Sequence, residues 1–407
     1  MEKSNVINQV HSRNKVVVKN TLLLAIVTFF VFMLAPIHSA YASSSPSQTD
    51  LNMIASTMKS IGYSAENVAA GFKDEYNVTE DKTAKALKSA NYGIISVANA
   101  LISVYNVSEK DIASTLKAAG YTADNVGKVL NSVYNESASE AASILKSVGY
   151  AADDVGSALN SVYNETASEA ASILKSIGYA AEDIGSALNS VYNETASEAV
   201  GILKSIGYTA EDIVNTLKSV WGDSEEDIAV ILKAYKYTAE DIADSFEISY
   251  NETASGVASI LKSAGYAAED VGSALKSVYN ETASDAASIL KSAGYAAKDV
   301  GSALNTVYNE TASDAASILK SVGYGATDVA RALKSAYNTS VSDAASILKS
   351  IGYGSKTIAG ALDSAYDASA KTIAKALKAA GYGFNSVFNA IVDVFGSVGS
   401  WIYSLFS

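Results

Sequence analysis

The chain has 407 residues but no cysteine, only two prolines and only two histidines. Both histidines, His11 and His38, lie within the first 42 residues. Without cysteine there is no disulfide and no thiol nucleophile, and the remainder of the chain has no imidazole. This composition excludes Ser-His-Asp and Cys-His catalytic sites and zinc sites built from Cys or His. We therefore expect a protein that is not an enzyme and that has no cofactor and no metal.

Basic side chains are also scarce. The 30 Lys and Arg residues are outnumbered by 43 Asp and Glu residues, which gives a formal net charge of −13. Nucleic acid binding needs a basic face, so we expect no nucleic acid partner. The low proline content together with abundant Ala, Ser and Leu favours helices, and the fold class that we predict is all-α.

The first part of the chain has the pattern of a secretory signal peptide. Four basic side chains precede an apolar run from Leu22 to Ala35, and the small-residue sequence Ala40-Tyr41-Ala42 follows. We predict a signal peptide over residues 1–42, cleavage near Ala42, and a secreted, extracellular or cell-surface protein. The alternative is an uncleaved membrane anchor, although the run is short of the ~20 residues that span a bilayer. Residues 43–47 are interpreted as a Ser-rich linker.

The rest of the chain is a tandem repeat with a period of 29 residues. An aromatic residue recurs at this spacing, and a second tyrosine follows most of these residues by 16 positions. We predict twelve units of 29 residues over residues 48–395. The aromatic residues that mark the period are Tyr76, Tyr105, Tyr134, Tyr163, Tyr192, Trp221, Tyr250, Tyr279, Tyr308, Tyr337 and Tyr366.

Each unit has the sequence signals of two short helices. In the unit 164–192, Thr166 and Glu169 have the spacing of a capping box at a helix start. Gly178 is placed to end this helix in the left-handed conformation, and Asn193 is placed to end the second helix. Helices this short are marginal alone, so their narrow apolar faces must be buried by stacking on neighbouring units.

This arrangement resembles the general class of α-solenoids, such as the HEAT and tetratricopeptide arrays, without their motifs. Its period is shorter than the ~34 and ~40–47 residues of those repeats. The resemblance implies an α-solenoid of stacked helical hairpins and points to no named family.

The Asn-x-Ser/Thr sequence occurs once in most units. One interpretation is structural, because Asn tolerates a left-handed helix end and the Ser or Thr two residues later caps the next helix. The other is N-glycosylation along one edge of an exported protein. The candidate sites are Asn77, Asn106, Asn135, Asn164, Asn193, Asn251, Asn280, Asn309 and Asn338.

Tyrosines and acidic pairs also recur once or twice per unit. We expect the tyrosine rings to pack against the next unit, and the alternative is an aromatic surface for carbohydrate or peptide. Pairs such as Glu182-Asp183 and Glu211-Asp212 fall where the second helix begins, and negative charge is favourable at a helix start. A calcium site is the alternative, but no Asp-x-Asp-x-Asn-Gly loop is present.

Two regions depart from the repeat. The unit 222–250 has Gly222 in place of Asn and Lys236 in place of the stop glycine, and it is interpreted as a bend, a partner site or an older copy. Residues 384–407 are predicted to form a hydrophobic C-terminal helix that overlaps the last unit. This helix folds back as a cap, docks a partner or a second copy, or lies on a membrane surface. Its candidate association residues are Phe388, Phe395, Trp401 and Ile402.

The function predicted from these features is a non-catalytic repeat scaffold acting in adhesion, protein–protein interaction or self-assembly. Its partners would be proteins or glycans, or other copies of the chain through the C-terminus. The alternative is a membrane-active secreted factor working through the amphipathic C-terminal helix, which is the only segment expected to contact a membrane.

Overall fold

A computed structural model describes residues 46–396 and 399–407. These residues form 25 α-helices and no strand, which confirms the all-α class and the tandem helical repeat. The predicted signal peptide and residues 43–45 lie outside the described residues. The chain divides into two compact units, the first ending at Asn135 and the second beginning at Glu136.

The helices follow one another in pairs, and we call the odd-numbered members A helices and the even-numbered members B helices through α24. In the first unit they are α1 (Gln48–Ser60), α2 (Ala65–Tyr76), α3 (Glu80–Ser89), α4 (Ile94–Tyr105), α5 (Glu109–Ala118) and α6 (Ala123–Val129). In the second unit they are α7 (Ala138–Ser147), α8 (Ala152–Tyr163), α9 (Ala167–Ser176), α10 (Ala181–Ser190), α11 (Ala196–Ser205), α12 (Ala210–Thr216), α13 (Glu225–Ala234), α14 (Ala239–Tyr250), α15 (Ala254–Ser263), α16 (Ala268–Ser277), α17 (Ala283–Ser292), α18 (Ala297–Thr306), α19 (Ala312–Ser321), α20 (Ala326–Tyr337), α21 (Val341–Ser350), α22 (Ser355–Tyr366), α23 (Ala370–Ala379), α24 (Phe384–Phe395) and α25 (Trp401–Ser404). Helices α6 and α12 each continue into a π turn, Leu130–Tyr134 and Leu217–Trp221.

Most A helices begin at a side-chain cap. Before α9, the Thr166 hydroxyl accepts from the backbone N–H of Glu169, and the Glu169 carboxylate accepts from the backbone N–H of Thr166. This is the predicted capping box, and it satisfies two amides that the helix leaves without partners. The second helix of the same pair lacks a hydroxyl cap at Ala180, and there Asp183 accepts from the Ala180 backbone N–H instead.

The helix ends are fixed by residues in the left-handed conformation. Gly178 after α9 has φ 89°, and Asn193 after α10 has φ 58°, as predicted. Gly222 and Asp367, which interrupt the Asn-x-Ser/Thr series, adopt the same conformation with φ 70° and 55°. The position therefore demands a backbone conformation that Asn, Gly and Asp tolerate. Two residues later, Ser224 and Ser369 still cap the next helix, as the Ser or Thr of the sequons does.

Within each compact unit, A helices pack on A helices and B helices on B helices of the adjacent pair. The buried residues are mainly Leu, Ile, Val and Ala, and Leu174 and Leu188 are each 1% exposed. Small residues set the spacing of the B helices: a Cβ on Gly156 would lie 3.3 Å from the Ala187 Cβ, and one on Gly301 would lie 2.9 Å from the Ala332 Cβ. The adjacent backbones approach closely because these glycines have no side chain.

The C-terminus differs from the single helix predicted over residues 384–407. Helix α24 ends at Phe395, and Gly396 follows with φ 74°. A separate helix of four residues, α25, then begins at Trp401. The physical reason is the left-handed Gly396, because a residue in that conformation cannot continue a right-handed helix.

Candidate functional site

The most regular feature of the surface is a contact between a lysine of one helix pair and a tyrosine of the next. Lys204, in the last turn of α11, donates to the Tyr235 carbonyl (2.5 Å) at the end of α13, and its ammonium lies 4.0 Å from the centre of the Tyr237 ring. We call this arrangement the lysine–tyrosine contact. It supplies a cation to the negative end of the next helix and a donor to a carbonyl that the helix leaves unpaired. The aromatic face adds a cation–π attraction.

The contact recurs along the A helices of both compact units. In the first unit Lys59 reaches Tyr92 and Lys88 reaches Tyr121, and in the second unit Lys349 reaches Tyr382. Further lysines with the same geometry in the second unit are Lys146, Lys175, Lys233, Lys262, Lys291 and Lys320. Sequence reasoning missed this role of lysine, although a Lys four residues before a Tyr, as in Lys146 and Tyr150, is a signal repeated in most units.

The same tyrosines join successive pairs through their hydroxyl groups. The Tyr179 hydroxyl donates to the Tyr150 carbonyl (2.6 Å), and the Tyr208 hydroxyl donates to the Tyr179 carbonyl (2.8 Å). Burial raises the pKa of Tyr179 to about 12, with a smaller contribution from the negative charge of Asp183. These tyrosines are therefore contacts between pairs, as the packing interpretation predicts.

A second set of tyrosines ends the B helices, and their hydroxyl groups bond to the turn that links their own helix pair to the preceding one. The Tyr279 hydroxyl donates to the Glu252 carbonyl (3.0 Å), and the Tyr105 hydroxyl donates to the Val78 carbonyl (2.9 Å). Some B helices carry their own lysine–tyrosine contact, such as Lys218 over Tyr250 at 3.8 Å. Aromatic and cationic side chains thus stabilise the packing of the A helices and also that of the B helices.

All nine candidate glycosylation asparagines lie at the same kind of position. Each is exposed and has positive φ, between 49° and 61°, at the end of a B helix. In eight of the nine cases the Ser or Thr two residues later accepts a hydrogen bond from the next helix; Thr79, after Asn77, makes no such bond. The structural interpretation explains both residues, and the exposed amides leave room for a glycan.

Within the second compact unit, the edge that carries these asparagines is acidic. Glu165 and Glu169 flank it in one pair, and Glu194 and Glu198 flank it in the next. Hydrogen bonds from the Thr195 hydroxyl and backbone lower the pKa of Glu198, whereas burial and the charge of Glu198 raise the pKa of Glu194. The adjacent acidic residues at the B-helix starts lie at the opposite ends of the B helices. One of them, Asp153 of α8, accepts from the Ser186 hydroxyl of α10 in the next helix pair.

The four predicted association residues lie at the C-terminal end of the second compact unit. Ile402 is fully buried, and Phe388, Phe395 and Trp401 are half-buried. Phe384 brings the last helix and the C-terminal residues together, since its ring centre lies 5.5 Å from those of Tyr403 and Phe406.

In the irregular unit 222–250, an unusual residue packs against an unusual residue of the preceding unit. Tyr235 stands where other units have Ile, Val or Ala, and its ring lies against Gly201, which stands where most other units have Ser. A Cβ on Gly201 would lie 3.0 Å from the Tyr235 ring. The same unit exposes two large aliphatic side chains, Val230 at 53% and Ile248 at 55%.

Residues 46–396 and 399–407 offer little that resembles another kind of site. An open groove between α9 and α11 is lined by Ser172, Ser176 and Ser205 together with Lys175 and Ile206. Within the described ranges, no three His, Cys, Asp or Glu side chains are grouped as metal ligands. None of the helices described is both long and apolar enough to cross a bilayer.

No protein-family model matches the chain, and no curated protein matches it either.

Proposed function

We propose that this protein is a secreted or cell-surface scaffold without catalytic activity, built as an α-solenoid of twelve repeats. It would present the same exposed edge many times along its length to protein or glycan partners. The observation that carries the proposal is the lysine–tyrosine contact, which joins successive pairs in the same way and leaves the edge with the asparagines free in each pair. Repeated identical surfaces bind with avidity because later contacts become intramolecular.

Deletion of one regular repeat tests the scaffold function. Removing residues 164–192 takes out one full period, so the flanking lysine and tyrosine are again in register. We expect the shortened protein to stay folded and to bind the surface of its producing cells with a moderately lower affinity. Deleting residues 280–308 instead is the matched control and should have the same effect. Complete loss of binding with one deletion and none with the other would indicate a single localised site and contradict the proposal.

Glycosylation of the asparagine edge is part of the proposed function. The nine asparagines are exposed and lie on the same helix ends, so a transferase would find equivalent acceptors. Asn91 is an internal control, since it is exposed and left-handed (φ 60°) but is followed by Tyr92 and Gly93 rather than by a sequon. Peptide mass spectrometry with and without glycosidase should find sugar at Asn164 and none at Asn91. Bare asparagines at all nine positions in the secreted protein would reject this part.

Export is tested by the mass of the mature chain. Mass spectrometry of protein recovered from the medium or the cell surface should give a first residue close to Ser43, as expected for cleavage near Ala42. A chain that stays inside the cell with residues 1–42 attached would reject the proposed localisation.

A further inference from the structure

The last helix pair, α23 and α24, is covered by the C-terminal residues of the chain. We call residues 399–407 the terminal segment. Lys378 of α23 donates to the Leu405 carbonyl, and its ammonium lies 5.1 Å from the centre of the Phe406 ring. One pair earlier, Lys349 donates to the Ala380 carbonyl (2.7 Å) and lies 4.6 Å from the centre of the Tyr382 ring. The terminal segment therefore takes the place that a following repeat takes elsewhere.

The terminal segment is an incomplete substitute for a repeat. Its only helix has four residues, and it buries Ile402 while leaving Tyr403 62% exposed. In most of the preceding pairs the tyrosine carbonyl accepts from the next tyrosine, as the Tyr353 carbonyl accepts from Tyr382 (2.6 Å). Among residues 46–396 and 399–407, no hydroxyl donates in this way to the Tyr382 carbonyl. The face of α23 and α24 is thus covered with fewer contacts than a full repeat makes.

The first helix pair has the complementary half of the contact. Helix α1 is followed by Ile61 and Gly62, whose carbonyls correspond to those that lysines reach in later pairs, and Tyr63 corresponds to the tyrosine. No lysine of the described residues reaches these groups. Two of the large apolar side chains that stay exposed, Met53 at 50% and Ile61 at 52%, belong to this helix or its end.

We propose that copies of this chain associate head to tail, with the first helix pair of a second copy displacing the terminal segment from α23 and α24. Lys378 then donates to the carbonyls that end α1 of the second copy, and its ammonium lies over the Tyr63 ring. The partner is a second copy because the interface is a continuation of the one between successive repeats. Such a contact is heterologous and extends into a linear polymer. This inference rests on the proposed scaffold function. It identifies a second copy of the chain as the partner with which the scaffold self-assembles.

The terminal segment then acts as a cap that competes with association. When the terminal segment covers α23 and α24, the chain cannot bind a second copy there. The apparent affinity of self-association is therefore the intrinsic affinity multiplied by the fraction of chains in which the cap is open. Replacing the buried Ile402 by Asp places a charge in an apolar site and favours the open state. Replacing Ile61 by Asp places a charge on the docking end of the second copy and prevents association.

Sedimentation velocity over a range of protein concentrations tests the inference. The protein is purified in the mature form that its producing cell makes. We expect Ile402→Asp to lower the dissociation constant of self-association at least about 10-fold, or ~1.4 kcal/mol. The double variant Ile402→Asp with Ile61→Asp should remain monomeric. Val230→Asp with Ile402→Asp is the matched control, because Val230 is equally exposed but lies in neither end pair. It should associate like Ile402→Asp alone.

A synthetic peptide of residues 399–407 gives a second measurement that does not depend on how a variant folds. Added in excess to the unmodified protein, it should occupy opened faces and shorten or dissolve the polymers. A monomeric Ile402→Asp chain with unchanged circular dichroism, or association that ignores both Ile61→Asp and the peptide, would overturn the inference. So would flotation of Ile402→Asp with neutral phosphatidylcholine vesicles in place of self-association. If the chain stays monomeric while repeat deletions still lower surface binding stepwise, this inference fails and the proposed function stands.

Discussion

The spacing of the B helices depends on glycines that adding one methyl group should disturb. A Cβ on Gly301 of α18 would lie 2.9 Å from the Ala332 Cβ of α20 and 3.7 Å from the Ala336 Cβ. A Cβ on Gly360 of α22 would meet nothing closer than the Val394 side chain at 4.0 Å. Both glycines lie inside B helices of the same compact unit, so the two Gly→Ala variants differ mainly in the room available.

The two substitutions should have opposite effects on stability. Replacing Gly by Ala in a helix gains about 0.5–1 kcal/mol because Ala loses less backbone freedom on folding. Carbon atoms pack at about 3.5–4.0 Å, so Gly301→Ala forces α18 and α20 apart by several tenths of an ångström or more. Overpacking of this kind costs about 1–3 kcal/mol. We expect Gly301→Ala to destabilise the neighbouring pairs by about 1 kcal/mol and Gly360→Ala to stabilise them by about 0.5 kcal/mol.

Hydrogen exchange measured by mass spectrometry is the suitable assay. A stack of repeats opens locally, so a global unfolding midpoint averages over pairs that the substitution does not touch. Gly301→Ala should speed exchange in the peptides of α18 and α20, and peptides of α8 and α10 should be unchanged. The added substitution Ala332→Gly removes the opposing methyl group, and it should recover part of the loss as a favourable coupling between the two sites.

The reasoning fails if Gly301→Ala protects α18 and α20 as well as Gly360→Ala protects α22. It also fails if Ala332→Gly adds its own destabilisation to that of Gly301→Ala without any recovery. Either result would mean that the helices have slack at this contact and that glycine serves another purpose there.

Three further predictions concern the other contacts. Lys175→Met should speed exchange in α11 by an amount equivalent to about 1 kcal/mol, since a charged hydrogen bond and a cation–π attraction are lost at a part-exposed site; the exposed Lys371→Met is the control and should change little. Thr166→Ala should destabilise the start of α9 by about 1 kcal/mol, seen as faster exchange there, whereas Ser168→Ala, two residues further, should not. Alkaline pH should destabilise the stacked helix pairs, because burial raises the pKa of Tyr179 and Tyr266 to about 12. Between about pH 10 and 12 the tyrosines of the unfolded chain lose protons that those of the folded chain keep, so the free energy of unfolding falls as pH rises. Circular dichroism followed together with tyrosinate absorbance should show the helices melting as the tyrosines ionise; full ionisation with intact helices would contradict the burial.

The sequence predicts the local structure well because the signals are local. Thr166 with Glu169, Gly178 and Asn193 specify where helices begin and end through neighbours three or four positions away, and the structure places them accordingly. The stack follows from the same pattern, because two narrow apolar faces of this length must be covered by adjacent pairs. Period and caps together are sufficient for the all-helical tandem repeat.

The contacts between pairs could not be read in the same way. Lys175 lies in the last turn of a helix, where a basic residue is expected for the helix dipole of its own helix. Its ammonium instead lies over Tyr208 of the next pair, and that placement depends on the distance between pairs. The C-terminal break has a similar origin, because apolar spacing favours a continuous helix whereas Gly396 and the contacts of Ile402 divide it.

The exceptions to the repeat are therefore best understood as pairs of residues. Tyr235 is larger than its counterparts, and the residue it meets in the preceding pair is Gly201, which has no side chain. Gly256 lacks the carboxylate that most other A helices have at this position, and the carboxylate of Glu252 accepts from the Thr253 backbone N–H instead (3.0 Å). A change on one side of an interface persists where the other side accommodates it. The same constraint applies to Leu405 and Phe406, which supply a carbonyl and a ring to Lys378 without belonging to a repeat. An interface that accepts such a replacement is specified by a few groups, and any chain end that offers them can compete for it.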